Sequence, residues 1–276
     1  MGGRVAASAV GSGASVIAMG VTVLVALVVA ALVPLARPPV LVALAVGVVA
    51  TPRGSAIAWS CAGGLPVALV LAWSGLVGDL ARGDLLDCAN LASPAAVMRV
   101  VEVVTVLAVV VLLARRLGVP VRSLGFRRPT RTETALGLLA VAVIPAASLL
   151  LGGLLAEPFF GPVRLHLAEP MAIVPAVALA VANGTMEEVA YRGALMSWLA
   201  PVVGPVAALV GQAVVFGTAH TGPDYVASAL PVVLVVTAGG LAAGLIVRRT
   251  GSLSLPIVVH ACLDVPLYYA MACRIA

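Results

Sequence analysis

The sequence predicts an all-α, polytopic membrane protein, and three observations predict it. First, the chain is 62% hydrophobic and only 10% charged, with a mean hydropathy of +1.19, whereas soluble domains run near about 45–50% apolar and about 25% charged. Second, its apolar runs are long and continuous rather than short and alternating. That pattern selects helices over a closed β-barrel, the other backbone arrangement a bilayer tolerates. Third, the basic residues gather in loops. The formal charge of +5 comes from 16 arginines with no lysine, and charge placed this way orients membrane helices, with no nucleic-acid partner implied.

Taken in order, a first span is expected over Ala14–Ala36. It is too long for the apolar part of a cleavable signal, and Arg37-Pro38-Pro39 should break it. Val40–Thr51 is a shorter run that barely crosses a bilayer core at about 1.5 Å per residue. Ser55–Gly78 is long enough to span, and a polar loop with Asp79, Arg82, Asp84 and Asp87 follows it. Ala95–Ala114 spans again. Arg99 and Glu102 lie near its start, one residue short of an i,i+4 pair, and are expected at the membrane interface.

Six arginines then crowd the loop from Arg115 to Arg131 (Arg115, Arg116, Arg122, Arg127, Arg128 and Arg131). The positive-inside rule assigns loop 115–131 to the cytoplasm of a multi-pass cell-membrane protein. Thr134–Ala156 is the next span, followed by a loop with Glu157, Arg164, His166 and Glu169. The chain re-enters at Met171 and continues to Pro201. It goes back over Gly204–His220 and returns over Tyr225–Val247, and Arg248-Arg249 then falls on the same cytoplasmic side. Leu253–Met271 closes the set, for seven or eight helices in all. The spacing of Gly240 and Gly244 favours close helix packing. Cys61, Cys88, Cys262 and Cys273 have no metal-type spacing.

Within the sixth of these apolar stretches, NGTMEEVAYRGALMSWLAP (Asn183–Pro201) carries Glu187, Glu188 and Arg192. A charged side chain at mid-bilayer costs roughly 2.5–3.5 kcal/mol, so three of them cost on the order of 8 kcal/mol unless they pair. Glu188 and Arg192 stand at i,i+4 and can pair. Glu187 points about 100° away around the axis, which leaves it as the working carboxylate and the other two as its support. Asn183-Gly184 reads as a local break that could admit water.

Two later spans add polar groups. His220 ends Phe216-Gly-Thr-Ala-His220, and His260 and Asp264 share a helix face at i,i+4, so the acid can orient the imidazole. Measured from Ala200, Gly204 and Gly251, Glu187, His220 and His260 lie roughly 20, 24 and 14 Å deep at 1.5 Å per residue. Polar groups on three helices thus meet at one level.

EEVAYRG (Glu187–Gly193), FGTAH (Phe216–His220) and HACLD (His260–Asp264) resemble the EExxxR, FxxxH and HxxxN/D motifs of the CAAX-protease and bacteriocin-processing (CPBP, or Abi) family. That family is similar to the Rce1-type prenyl endopeptidases. The lead-in Arg248-Arg-Thr-Gly-Ser252 and Pro256 also look like it. The resemblance covers about the C-terminal 40% of the chain. It divides the chain into N-terminal helices with the basic loop (1–132) and an Rce1-like catalytic core (133–276).

The resemblance implies a bundle whose cavity opens to the cytoplasm and admits the C-terminal region of a peptide or lipidated protein held among membrane lipids. It implies Glu187 as the general base that activates water, with His220 beside it and His260 with Asp264 at the scissile carbonyl; Glu188, Arg192 and Phe216 support them. Where the best-studied form of that motif has asparagine, Asp264 cannot donate to an oxyanion when ionised. Either it is protonated, or it serves His260, or the site holds a metal. Zinc on Glu187, His220 and His260 is the metal-dependent alternative, but HExxH is absent, and a metal-free glutamate mechanism is the reading adopted. The same polar residues would also suit a proton-coupled transporter, or a scaffold or immunity protein without catalysis. GxSG serine motifs and YD/GxGD aspartate pairs are missing from the sequence.

Overall fold

Each apolar run folds into a helix, because in hydrocarbon the backbone has to bond to itself. A computed structural model describes residues 13–81, 94–160, 173–221 and 229–272, and all regular structure in them is helical. The order is α1 (Ala14–Leu32), α2 (Arg37–Ala50), α3 (Ala56–Ala81), α4 (Pro94–Leu117), α5 (Arg131–Phe160), α6 (Ile173–Glu188), a π-helical segment (Val189–Met196), α7 (Ser197–Val203), α8 (Pro205–Ala219), α9 (Ala229–Thr250) and α10 (Ser254–Ala272).

Five stretches are long and apolar enough to cross a membrane: Ala14–Leu32, Ala56–Trp73, Ala96–Leu117, Ile173–Val203 and Leu230–Thr250. Pro34–Ala50, Pro205–Ala219 and Ser254–Pro266 are shorter apolar helices. The seven or eight expected spans therefore fit the architecture. Large apolar side chains such as Val25, Val104, Leu138 and Val235 stand exposed on α1, α4, α5 and α9, as lipid-facing surfaces require.

Several boundaries differ from those expected. Pro38 and Pro39 do not break a helix; they open α2, in a first turn where a missing N–H costs nothing. The preceding α1 ends at Leu32, before a short 3-10 turn at Pro34–Ala36. Arg37 Nε donates to the Ala30 carbonyl and satisfies one orphan acceptor at that end. The helices α3 and α5 run on through Asp79 and Glu157, which were expected in loops. Arg82, Asp84, Cys88, Asp87, Arg164, His166, Glu169 and Cys273 lie outside the described residues.

The two arginine clusters meet at one end of the bundle. Arg127 donates from Nε to the Thr250 carbonyl at 2.9 Å and from Nη2 to Glu133 Oε1 at 2.9 Å. Beside it, the Leu253 N–H reaches the Gly125 carbonyl at 3.0 Å. Glu133 and Thr130 also form a reciprocal capping box: the Thr130 N–H donates to Glu133 Oε2 at 2.7 Å, and the Glu133 N–H to Thr130 Oγ1 at 3.2 Å. These contacts pin the basic loop to the α9–α10 corner.

Packing positions the site. One hydrophobic core runs from Val23 and Leu27 of α1 through Ala62 and Val67 of α3 and Val106 of α4 to Leu195 and Leu199 beside the π segment. The most extensive helix pair is α6 with α10, followed by α8 with α9. A Cβ on Gly184 would sit 3.2 Å from the Ala261 backbone nitrogen and 3.4 Å from His260 Cβ. Glycine there lets α10 close on α6. Gly240 lies as tightly against Ala213, and its carbonyl accepts from buried Gln212 Nε2 at 2.9 Å, so the glycine pair of α9 packs as its spacing predicts.

Candidate active site

Glu187 and Glu188 occupy the last two positions of α6, and their neighbours separate them. Glu188 is 1% exposed and lies 3.1 Å from Arg192 Nη1 across the start of the π segment. Arg192, equally buried, rests its guanidinium 4.2 Å from the centre of the Phe216 ring, where the ring's negative face meets the cation. Ser197 Oγ donates to the Arg192 carbonyl at 2.8 Å, satisfying an acceptor within the widened turns. Such π segments recur at functional sites; apolar periodicity gives no sign of this one.

His260 is the hub. Its Nδ1 lies 2.9 Å from Glu188 Oε1, and because a carboxylate oxygen accepts, Nδ1 carries the hydrogen. Its Nε2 then faces Glu187 Oε2 at 3.5 Å and Asp264 Oδ2 at 3.7 Å. The i,i+4 partnership of His260 with Asp264 is therefore present, but the closer acid is Glu188. Among the described residues, Glu187 Oε2 accepts no hydrogen bond from the protein.

Asn183 is a site residue that the motifs do not contain. Its Nδ2 donates to Glu187 Oε1 at 3.2 Å and to Asp264 Oδ2 at 2.9 Å, so one amide group ties α6 to α10. The helix is continuous through Asn183 and Gly184. The expected local break is absent because Asn183 is held on both sides and Gly184 is covered by α10. The available signal was its position, one turn before Glu187 on the same face.

His220 caps α8, with Nδ1 donating to the Phe216 carbonyl at 2.8 Å. Phe216 stands between the two histidines, its ring centroid 4.7 Å from that of His220 and 5.9 Å from that of His260, edge-on to both. All three motifs thus meet, with Phe216 in ring contact with both histidines.

Arg99 and Glu102 are not two separate interfacial side chains. Arg99 Nη1 donates to Glu102 Oε2 at 2.7 Å, an i,i+3 contact on a helix face, and Glu102 is 2% exposed. Free Cys61 and Cys262 are buried. No three His, Cys, Asp or Glu side chains among the described residues stand close enough together to hold a metal ion. A cleft of about 250 Å³ at the arginine-rich end is lined by Ser123, Met196, Ser197 and Arg248, among others, and contains none of the motif residues.

Comparison with known proteins supplies the context for this geometry. Residues 169–266 match the family model of the type II CAAX prenyl endopeptidases, Rce1-like. No curated protein and no solved structure matches the chain. The matched segment contains every residue described around His260 except the Arg99–Glu102 pair and Tyr268, and it ends two residues past Asp264. Over residues 169–266, the segment that carries all three motifs, the chain is therefore similar to the Rce1-like, type II CAAX prenyl endopeptidases.

Proposed function

We propose that the protein is an intramembrane endopeptidase that hydrolyses a peptide bond near the C-terminus of a membrane-associated, CAAX-type substrate. One observation carries this reading: a buried carboxylate oxygen, Glu187 Oε2, has no hydrogen-bond donor among the described residues and lies 3.5 Å from an imidazole whose other nitrogen is fixed by Glu188. A base and an electrophile held side by side in a dry place serve addition of water to a carbonyl.

In this mechanism Glu187 takes a proton from water, and the resulting hydroxide adds to the scissile carbonyl carbon. As the imidazolium, His260 donates from Nε2 to the oxyanion that forms. The C–N bond then breaks, and Glu187 returns its proton to the leaving amine. Asp264 and Glu188 hold the imidazole and balance its charge, Arg192 balances Glu188, and His220 with Phe216 closes the opposite wall. No metal takes part. The arginine-rich end, with loop 115–131 and Arg248-Arg249, faces the cytoplasm, and the peptide reaches the site from that side.

The test is turnover of a farnesylated CAAX-type peptide by the purified chain in proteoliposomes, with products read by mass spectrometry. Glu187→Gln should lower kcat by about 10²–10⁴-fold, the contribution of a positioned general base. Turnover in a chelator should equal turnover without it. Cleavage by Glu187→Gln at the wild-type rate ends the proposal.

A further inference from the structure

A peptide that ends near the cleaved bond brings a free carboxylate into a site already crowded with acids. Glu187, Glu188 and Asp264 surround His260, and Glu102 of α4 is within electrostatic reach of Glu187. Such a substrate requires a cation with donors to spare. Arg192 is out of reach of a ligand: it is 1% exposed, lies against Glu188 and is covered by the Phe216 ring.

Arg99 can supply those donors. Its place in α4 falls on the bundle-facing stripe of Ala96, Val103, Val106 and Val110, all buried, at the i, i+3, i+4 spacing of one helix face. Ala96, one turn before it, packs with Ala176, Leu179 and Ala180 of α6 and with Tyr268 of α10. From this position Arg99 is within electrostatic reach of the Glu187 and Asp264 carboxylates as well as of Glu102. A guanidinium has five N–H donors. Among the described residues Glu102 alone is bonded to it, through Nη1, and the Arg99 side chain remains 34% exposed.

Distance along α10 matches this role. Tyr268 lies two turns beyond His260, about 12 Å at 1.5 Å per residue. A fully extended peptide covers that distance in about three to four residues.

We infer that Arg99, steadied by Glu102, anchors the C-terminal carboxylate of the substrate. Tyr268 marks the far end of the subsite, and His260 marks the bond that is cut. The inference rests on the endopeptidase reading for its substrate, and it adds a specificity group from the N-terminal helices, outside the matched segment. Planar pairing of a guanidinium with a carboxylate gives both geometry and charge recognition.

The test compares a farnesylated CAAX-type peptide carrying a free C-terminal carboxylate with the same peptide as its amide. The full-length protein in proteoliposomes should favour the acid in kcat/KM by roughly 10–100-fold, the worth of one charge-assisted contact. Arg99→Gln alone would strand Glu102 in the core, so the neutral pair Arg99→Gln/Glu102→Gln is used, with Arg99→Lys as the charge-keeping variant. The acid-to-amide ratio should fall toward one in the double variant and survive in part in Arg99→Lys.

Binding of both peptides to the Glu187→Gln protein gives a readout independent of turnover. If wild type cleaves neither peptide but Glu187→Gln binds the acid more tightly, the endopeptidase reading fails while the carboxylate subsite stands. An unchanged ratio in the double variant, or equal binding of acid and amide, overturns the assignment of Arg99.

Discussion

Asn183 does with one amide what two residues would otherwise have to do. Both hydrogens of its Nδ2 are committed, one to Glu187 and one to Asp264, and each bond holds a carboxylate on a different helix. Hydrogen bonds to charged groups are worth about 1.5–3 kcal/mol, so Asn183→Ala should lower stability by that order, read as a fall in the unfolding midpoint in detergent. Asn183→Asp is nearly the same shape but replaces the donor with another acid beside two others. It should therefore be worse than alanine in both stability and turnover. If the aspartate is tolerated better than alanine, Asn183 merely fills space. Asn183 also bears on the departure from the best-studied form of the motif at Asp264. The amide missing from position 264 is present 2.9 Å away on α6, though directed at the acids.

At the scale of helices, contact between α6 and α10 depends on Gly184. A methyl group there meets the backbone of Ala261, which cannot rotate away. Alanine would gain about 0.5–1 kcal/mol in helix propensity, whereas overpacking costs about 1–3 kcal/mol. Gly184→Ala should thus be net destabilising by about 1 kcal/mol. It should also reduce turnover, since the same methyl pushes His260 away from Glu187; thermal unfolding and peptide cleavage measured together check this. A higher midpoint with unchanged turnover would show that the two helices have slack.

Most helices were legible because long apolar runs leave the backbone no alternative in lipid, and the Glu188–Arg192 pair was legible because i,i+4 spacing is local. What the sequence concealed depends on the third dimension. The preference of His260 for Glu188 over Asp264 spans 72 positions. The Arg99–Glu102 pair stands at i,i+3, and its burial depends on helices that pack against α4 from elsewhere in the chain. The π segment arises from packing, and no residue pattern announces it. Pro38 and Pro39 looked like a break because proline both ends and begins helices, and only the neighbouring turn tells which.

Across the whole molecule, the arginine-rich end is fastened by Arg127, Thr130 and Glu133. The Thr130 N–H, then the Thr130 hydroxyl and Arg127, hold the Glu133 carboxyl below the usual carboxylate range. A carboxyl with a lowered folded pKa adds stability above the pH at which an unfolded glutamate ionises. That stability is lost as pH falls through the lowered value. At neutral pH, hydrogen exchange at the Thr130 and Leu253 amides should therefore be roughly several-fold faster in Glu133→Gln than in wild type. The difference should close below about pH 4, near and below the ordinary glutamate value. A difference that persists undiminished in acid would place the fastening elsewhere.

The pairing of α6 with α10 also sets an order of assembly. Glu187 and Glu188 are synthesised 72 or more residues ahead of His260 and Asp264, which bring their α10 contacts. Until α10 joins the bundle, Glu187 lacks His260 and Asp264, and Glu188 lacks the imidazole that bonds to it. On the proposed function, the site would be silent throughout the chain's own insertion and would acquire the means to cut a neighbouring chain only once α10 is in place.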